Sequence, residues 1–163
     1  MVTTTIRLAR PDEYDEVGEL TADAYASDGF IPEGSDYGLT LRNAADRAAK
    51  AELWVAVDDT ELLGTVTFCT PGSVYGEIAE TGEGEFRMLG VSPEARGLGL
   101  GTALSLHCVE RSRELGYHRV VLSSASYMTG AHRIYERLGF TRLPERDWSP
   151  RPGVDLYAFA LDL

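Results

Sequence analysis

Cysteine is scarce in this 163-residue chain: only Cys69 and Cys108 occur. Both lie in apolar runs with no partner motif, so two buried free thiols of a cytosolic protein are expected. His107, His118 and His132 hold no ligand spacing with them, which leaves no basis for a zinc site. Long apolar runs are missing too. No stretch approaches the roughly 18 residues of a transmembrane helix. The N-terminal MVTTTIRLARPDEY lacks the apolar segment of a signal peptide, so a cytoplasmic location is expected. Positive charge is in deficit: 15 Lys and Arg stand against 26 Asp and Glu, a net charge of −11. That balance argues against nucleic acid as the main partner, because phosphate backbones select a basic face. It suits a cationic substrate weakly and serves solubility equally well.

What remains is the composition of an ordinary globular domain, with 44% hydrophobic and 25% charged residues. One domain over residues 1–163 is expected. Thr3 to Leu8 reads as a strand. Pro11 opens a helix in which Tyr14, Val17, Leu20 and Ala24 recur at helical spacing. Tyr25 to Tyr37, with Gly29, Pro32 and Gly34, reads as a loop, and Tyr37 to Ala51 as a second helix. The period then switches. Leu53–Val57 and Leu62–Cys69 flank the turn DDTE as a hairpin, and Glu85–Val91 is a third strand candidate. A glycine-rich stretch leads into a helix with Leu100, Leu104, Cys108 and Leu115 on one face, ending at Gly116. Arg119–Ser124 is a strand. Ala131, Ile134, Tyr135 and Leu138 mark a further helix, stopped by Gly139. Phe140–Leu143 and Asp155–Leu161 close the chain as strands around the turn region PERDWSPRPG. This order predicts an α/β fold, a mixed sheet with helices on both faces.

The glycine stretch is ARGLGLGTAL, residues 95–104. A strand, a glycine-rich turn and a helix start make an anion site: the first helical N–H groups are unpaired, and glycine removes the Cβ atoms that block close approach. A P-loop requires Gly-Lys-Ser/Thr, but Thr102 and Ala103 follow Gly101. A dinucleotide loop requires a third glycine where Thr102 stands, inside an early βαβ unit that is missing. Arg96-Gly97-Leu98-Gly99-Leu100-Gly101 fits a third pattern, Arg/Gln-x-x-Gly-x-Gly/Ala.

That pattern resembles the pyrophosphate loop of the GNAT family of N-acetyltransferases, which bind acetyl-CoA. EFRMLGVSPEARGLGLG looks like the family's central strand plus loop, GAHRIYERLGF like its later helix, and TIRLARPDEYDEV like its first strand and helix. The resemblance implies the acyl-CoA N-acyltransferase fold: a mostly antiparallel sheet whose central strands splay. It implies acetyl-CoA as co-substrate, held by Met88, Leu89, Gly90 and Val91 and by Arg96, Gly97, Leu98, Gly99, Leu100, Gly101 and Thr102. No metal, nucleic acid or membrane is implied. Homodimers are common in the family, so a homodimer is among the expected partners. Met128 stands where many relatives carry an asparagine that contacts the pantetheine arm or orders the helix start.

Acyl transfer from a thioester to an amine sets three demands. The amine must be neutral, yet at a pKa of about 10.4 only about one lysine-like amine in 2,500 is neutral at pH 7. Glu85, at the start of the central strand, is the candidate base. The oxyanion needs donors, and the resemblance assigns backbone N–H groups within Met88–Val91, where a β-bulge would free them and Gly90 is compatible with one. The leaving thiolate needs a proton, and Tyr135 falls at the family's general-acid position; it also lies on the helix's apolar stripe, so a core ring carrying its hydroxyl to the cleft is expected. Direct transfer in a ternary complex follows, because neither cysteine looks placed to carry an acyl group. The acceptor is expected between the loops 25–37 and 144–153, walled by Tyr25, Phe30, Tyr37 and Trp148, with Asp28, Glu33 and Asp36 attracting a cation. Alternatives are a non-catalytic acyl-CoA-binding or regulatory module on the same fold, another acyl group, or a hydroxyl acceptor.

Overall fold

The computed structural model describes residues 4–27, 29 and 36–163. Strand β1 (Thr4–Leu8) is followed by three helices, α1 (Tyr14–Ser27), α2 (Tyr37–Arg42) and α3 (Ala44–Lys50). Three strands come next, β2 (Glu52–Asp58), β3 (Glu61–Cys69) and β4 (Glu83–Val91). Then α4 (Leu100–Glu114), β5 (Arg119–Ala125) and α5 (Thr129–Arg137) alternate, before β6 (Thr141–Arg142), β7 (Trp148–Arg151) and β8 (Val154–Asp162). The strands form one sheet in the order β1-β2-β3-β4-β5-β8-β6, with β7 also on β8. Every pairing is antiparallel except β4 with β5.

Helices cover both faces, and β2 shows why. Its side chains alternate: Leu53, Val55 and Val57 pack with Val17 of α1 and Ala44 of α3, whereas Ala56 and Trp54 join the core under α4 and α5. That second core holds Phe68, Phe86, Leu104, Cys108, Leu122, Tyr135, Phe140 and Phe159. Tyr135 sits 5.8–6.0 Å, centroid to centroid, from Phe86, Phe140 and Phe159. Such pairs add about 0.5–1.5 kcal/mol each beyond their burial.

The central pair is irregular in two ways. β4 and β5 are bonded only where Glu83–Glu85 lie beside Arg119–Val121, and beyond that they part. On its other edge β4 carries an extra residue: Thr65 opposes Gly90 but Thr67 opposes Arg87. The expected bulge is therefore present, and Met88, at φ +54, takes the left-handed turn rather than Gly90. Gly90 serves a different contact. A Cβ there would lie 3.3 Å from Ala24 Cβ, so glycine lets α1 approach β4.

Three local expectations need correction. α1 runs to Ser27, so Tyr25 is helical rather than in a loop. The helix expected over 37–51 breaks at Asn43, whose side chain accepts from Asp46 N–H (3.3 Å) and starts α3. The turn region 144–153 contains a strand, β7, that bonds to β8. The break is held by buried Arg47, which donates to the Thr40 and Leu41 carbonyls at the end of α2 (2.9 and 2.8 Å).

α1 and α2 touch backbone to backbone at Gly18, where a Cβ would meet the Arg42 carbonyl oxygen at 2.2 Å. Gly18→Ala must push the helices apart, so a loss of about 1–3 kcal/mol in chemical denaturation is expected.

Candidate functional site

The turn before α4 takes its shape from two glycines in the left-handed region, Gly97 (φ +84) and Gly99 (φ +77). Gly99 caps α4 without a side-chain bond, and the first helical hydrogen bond runs from Ala103 N–H to Gly99 O (3.0 Å). The N–H groups of Leu100, Gly101 and Thr102 therefore have no acceptor within the helix, at its positive dipole end. They face a cavity of about 570 Å³. Leu89, Gly90 and Val91 of β4 form one wall, and Ala131, Ile134 and Arg137 of α5 another. Arg96 lines the same cavity, its guanidinium donating to the Ala24 carbonyl of α1 (3.2 Å). A Cβ on Gly101 would reach Ile134 Cδ1 at 3.1 Å, so this glycine lets α4 and α5 close around the cavity.

A second cavity, of about 490 Å³, opens where β4 and β5 part. Tyr25, Tyr37 and Thr40 come from α1 and α2, Glu77, Arg87 and Met88 from β4 and the segment before it. The end of β5 contributes Ser123, Ser124 and Ala125, and Arg151 and Leu156 close the far side. The Tyr25 and Tyr37 rings meet edge to face, 6.1 Å apart. Arg87 Nε pairs with Glu77 Oε1 (3.1 Å) and its Nη1 donates to the Tyr75 carbonyl (3.0 Å). Burial raises the Glu77 carboxyl above its ordinary range, against the pull of Arg87. Tyr25 and Met128 line both cavities, so the two meet there.

Most of the residues expected to hold the cofactor converge on the first cavity. Two do not: Leu98 is exposed to solvent, and Met88 faces the second cavity. Arg137 was missed, because only the fold brings the last turn of α5 to the mouth of the glycine turn. On the acceptor side Tyr25 and Tyr37 line the cavity, while Phe30, Asp28 and Glu33 lie outside the described residues. Asp36 also lines it. Trp148 does not; its Nε1–H donates to Ser123 Oγ (3.2 Å) from the outside, and β7 instead supplies Arg151.

Glu85, the candidate base, lies away from both cavities. It is fully buried. Its carboxylate accepts from the backbone N–H groups of Glu77, Ile78 and Ala79 at 2.9–3.1 Å and so fastens that turn to the sheet. Burial raises it, while these three donors favour its charge. Tyr135 is 6% exposed, and burial raises its hydroxyl. Tyr135 is absent from the lining of either cavity, and its ring lies in the core beneath α5. Burial, then Tyr37 and Tyr135, raise the Tyr25 hydroxyl. Cys69 and Cys108 are both buried, and burial pushes the Cys69 thiol up to about 12, far from a reactive thiolate. Among the described residues no group of three or more His, Cys, Asp or Glu could hold a metal ion, and no helix is long and apolar enough to cross a membrane.

Residues 15–140 match the model of the acetyltransferase (GNAT) family. Among curated proteins, the mycothiol acetyltransferase of Geodermatophilus obscurus is 35% identical over 130 residues, covering 78% of this chain and 42% of that protein. The mycothiol acetyltransferase of Sanguibacter keddieii is 33% identical over 143 residues, 85% and 44% of the two. The chain thus spans less than half the length of these relatives. Among solved structures, a GNAT-family acetyltransferase from Staphylococcus aureus Mu50 superposes with a TM-score of 0.77 at 16% identity, over 99% of each chain. The Salmonella typhimurium protein yncA, solved with its cofactor acetyl-CoA, superposes at 0.69 with 20% identity, over 99% of this chain and 94% of that one.

No atom lies within 4 Å of a Cβ built on Gly99. Gly99→Ala therefore costs stability only through its left-handed backbone, about 1–2 kcal/mol in denaturant unfolding. Arg96→Ala removes a charged donor worth about 1.5–3 kcal/mol, so CoA measured by calorimetry should bind roughly ten- to a hundredfold more weakly. An unchanged dissociation constant would remove Arg96 from the cradle.

Proposed function

Because the chain belongs to the acetyltransferase (GNAT) family, we propose that it acts as one acetyltransferase domain, moving an acetyl group from acetyl-CoA to a primary amine by direct transfer. The observation that carries this reading is the meeting of two cavities at the parted end of β4 and β5. One is built on a helix N-terminus and a glycine turn, as a pyrophosphate requires. The other is walled by tyrosines and holds the Glu77–Arg87 pair. A thioester held against β4 would reach the junction, and an amine in the second cavity would meet it there.

The bulge at Met88 turns backbone N–H groups out of the ladder, where they would receive the developing oxyanion. Tyr135 is proposed as the acid. Burial raises its pKa above the ordinary tyrosine value, so the hydroxyl stays protonated through neutral pH and remains a donor. The bound group supplies the activated acyl carbon; this chain's residues orient it and move protons. The yncA structure with acetyl-CoA supports the donor, and the family's name supports the reaction. The curated relatives, named mycothiol acetyltransferases, support acetyl transfer as the reaction.

Thermal melts with millimolar CoA test the donor; the absence of any shift would sink the reading. Thiol release is then followed over small amines, aminoglycosides, polyamines and peptide N-termini; CoA binding without release from any of them would favour the non-catalytic alternative. Tyr135→Phe should lower kcat by about 10²–10⁴-fold with little change in KM for acetyl-CoA. The wild-type rate should show no falling limb from this group below pH 10. Unaltered turnover in Tyr135→Phe removes the acid assignment.

A further inference from the structure

With Glu85 fastened to a turn, the acceptor's proton needs another destination. On β5, Val120 and Leu122 belong to the core under α5, and the next residue on that face is Ser124, 5% exposed. A hydroxyl in that position is costly unless it is bonded. Its Oγ lies 3.1 Å from His132 Nε2, on the first turns of α5. The Ala125 backbone also acts on the His132 ring, raising its pKa. In the tautomer whose other ring nitrogen directs its N–H at the Ala125 carbonyl, Nε2 accepts from the Ser124 hydroxyl. Serine, imidazole and an orienting carbonyl form the arrangement expected of an activated hydroxyl. Its position matches: Ser124 lines the acceptor cavity, and its Oγ is 3.9 Å from the sulfur of Met128, which lines both cavities.

We propose that Ser124 and His132 form a proton relay at the junction of the two cavities, drawing the proton from the acceptor's ammonium group. The inference rests on the amine-acetyltransferase reading above. The ammonium gives one proton to Ser124 Oγ as the serine proton passes to His132 Nε2. The neutral nitrogen attacks the thioester carbonyl; the N–C bond forms and the C–S bond breaks. Tyr135 gives its proton to the departing sulfur and regains one from the acylated nitrogen. His132 then returns its proton to solvent through Ser124. Ser124 is the group that touches substrate, and His132 acts through it as a positioning and proton-holding residue.

The surroundings suit an imidazole that stays neutral at pH 7. Desolvation lowers its pKa most; the Ala125 bond and Glu136 of α5 oppose this, while Arg142 of β6 lowers it further. Arg142 stacks 4.0 Å from the Tyr157 ring of β8, and Tyr157 and Phe159 flank the imidazole. Glu77 is the competing base in the same cavity, but protonating it would leave the Arg87 charge buried beside a neutral acid.

The test uses wild type, Ser124→Ala, His132→Gln and Glu77→Gln, each checked for a CoA-induced thermal shift, with the panel amine of highest kcat/KM. Wild-type log kcat/KM should rise with unit slope at acid pH and level off before neutrality, because desolvation holds His132 below the ordinary histidine range. While its ring is protonated His132 cannot accept; once the ring is neutral the relay is open. Ser124→Ala and His132→Gln should lose about a hundredfold at pH 7 and climb steadily towards the amine's own pKa, so that the deficit falls below about tenfold near pH 9.5. Glu77→Gln should keep the wild-type shape. Parallel profiles in the Ser124 or His132 variants, a flattened profile in Glu77→Gln alone, or acetyl-Ser124 trapped by mass spectrometry overturns the relay. If no amine is acetylated, the proposed function fails by itself, and histidine NMR still judges the pair. An Nδ1–H tautomer titrating below 6.5 and perturbed by Ser124→Ala supports it; a ring protonated at pH 7 or an Nε2–H tautomer overturns it.

Discussion

The site depends on a pairing that stops early. β4 and β5 are parallel neighbours for Glu83–Glu85 and Arg119–Val121 only, and the sheet opens from there. A parallel pair left unbonded in a core would strand its N–H and C=O groups. Here the opening is wedged. The Met88 bulge bends β4 on one side, and Gly90 lets α1 approach the strand. α5 follows β5 and packs its Tyr135 ring among Phe86, Phe140 and Phe159. The closed end is the part bonded most heavily by charge. Glu83 takes Arg146 and Arg119, and Glu85 takes three backbone donors. The sheet is thus pinned at one end so that it can gape at the other.

The glycine-turn half of the candidate site was legible in the sequence because its demands are local. A left-handed backbone at Gly97 and Gly99, an uncapped helix start and an arginine one step before them all lie within a few residues. The strand and helix periods near them were equally plain, since β2 buries both faces in strict alternation. The acceptor half depends on which side chains the opening exposes, and that is tertiary. Glu85 and Glu77 are both glutamates in one acidic stretch; only the turn that wraps the Glu85 carboxylate decides that Glu77 faces the cavity. The Asn43 break escaped a reading by helical period because helix-compatible sequence, YGLTLR before it and the alanine-rich AADRAAK after it, continues on both sides. β7 escaped because Pro150 lies in it, which edge strands tolerate. Ser124 and His132, eight residues apart across a strand end, a turn and a helix start, carry no periodic sign of each other.

Charge is distributed with the same division. The chain is acidic overall, yet arginines line both cavities: Arg96 and Arg137 the first, Arg87 and Arg151 the second. A polyanion with phosphates at one end is thereby given a local basic path through an acidic surface. At the second cavity the partly buried pair of Arg87 with Glu77 is neutral as a unit.

The wall common to both cavities has a consequence for selectivity. Tyr25 and Met128 line both cavities, and under the proposed function they belong to the donor side and the acceptor side at once. The acyl chain and the acceptor therefore compete for one volume. A longer acyl group would take its room from the amine, and a smaller side chain at position 128 would enlarge the shared space for whichever substrate fills it first. Under the proposed function, chain-length preference and acceptor size would then be a single steric variable, and neither could be tuned alone from that wall.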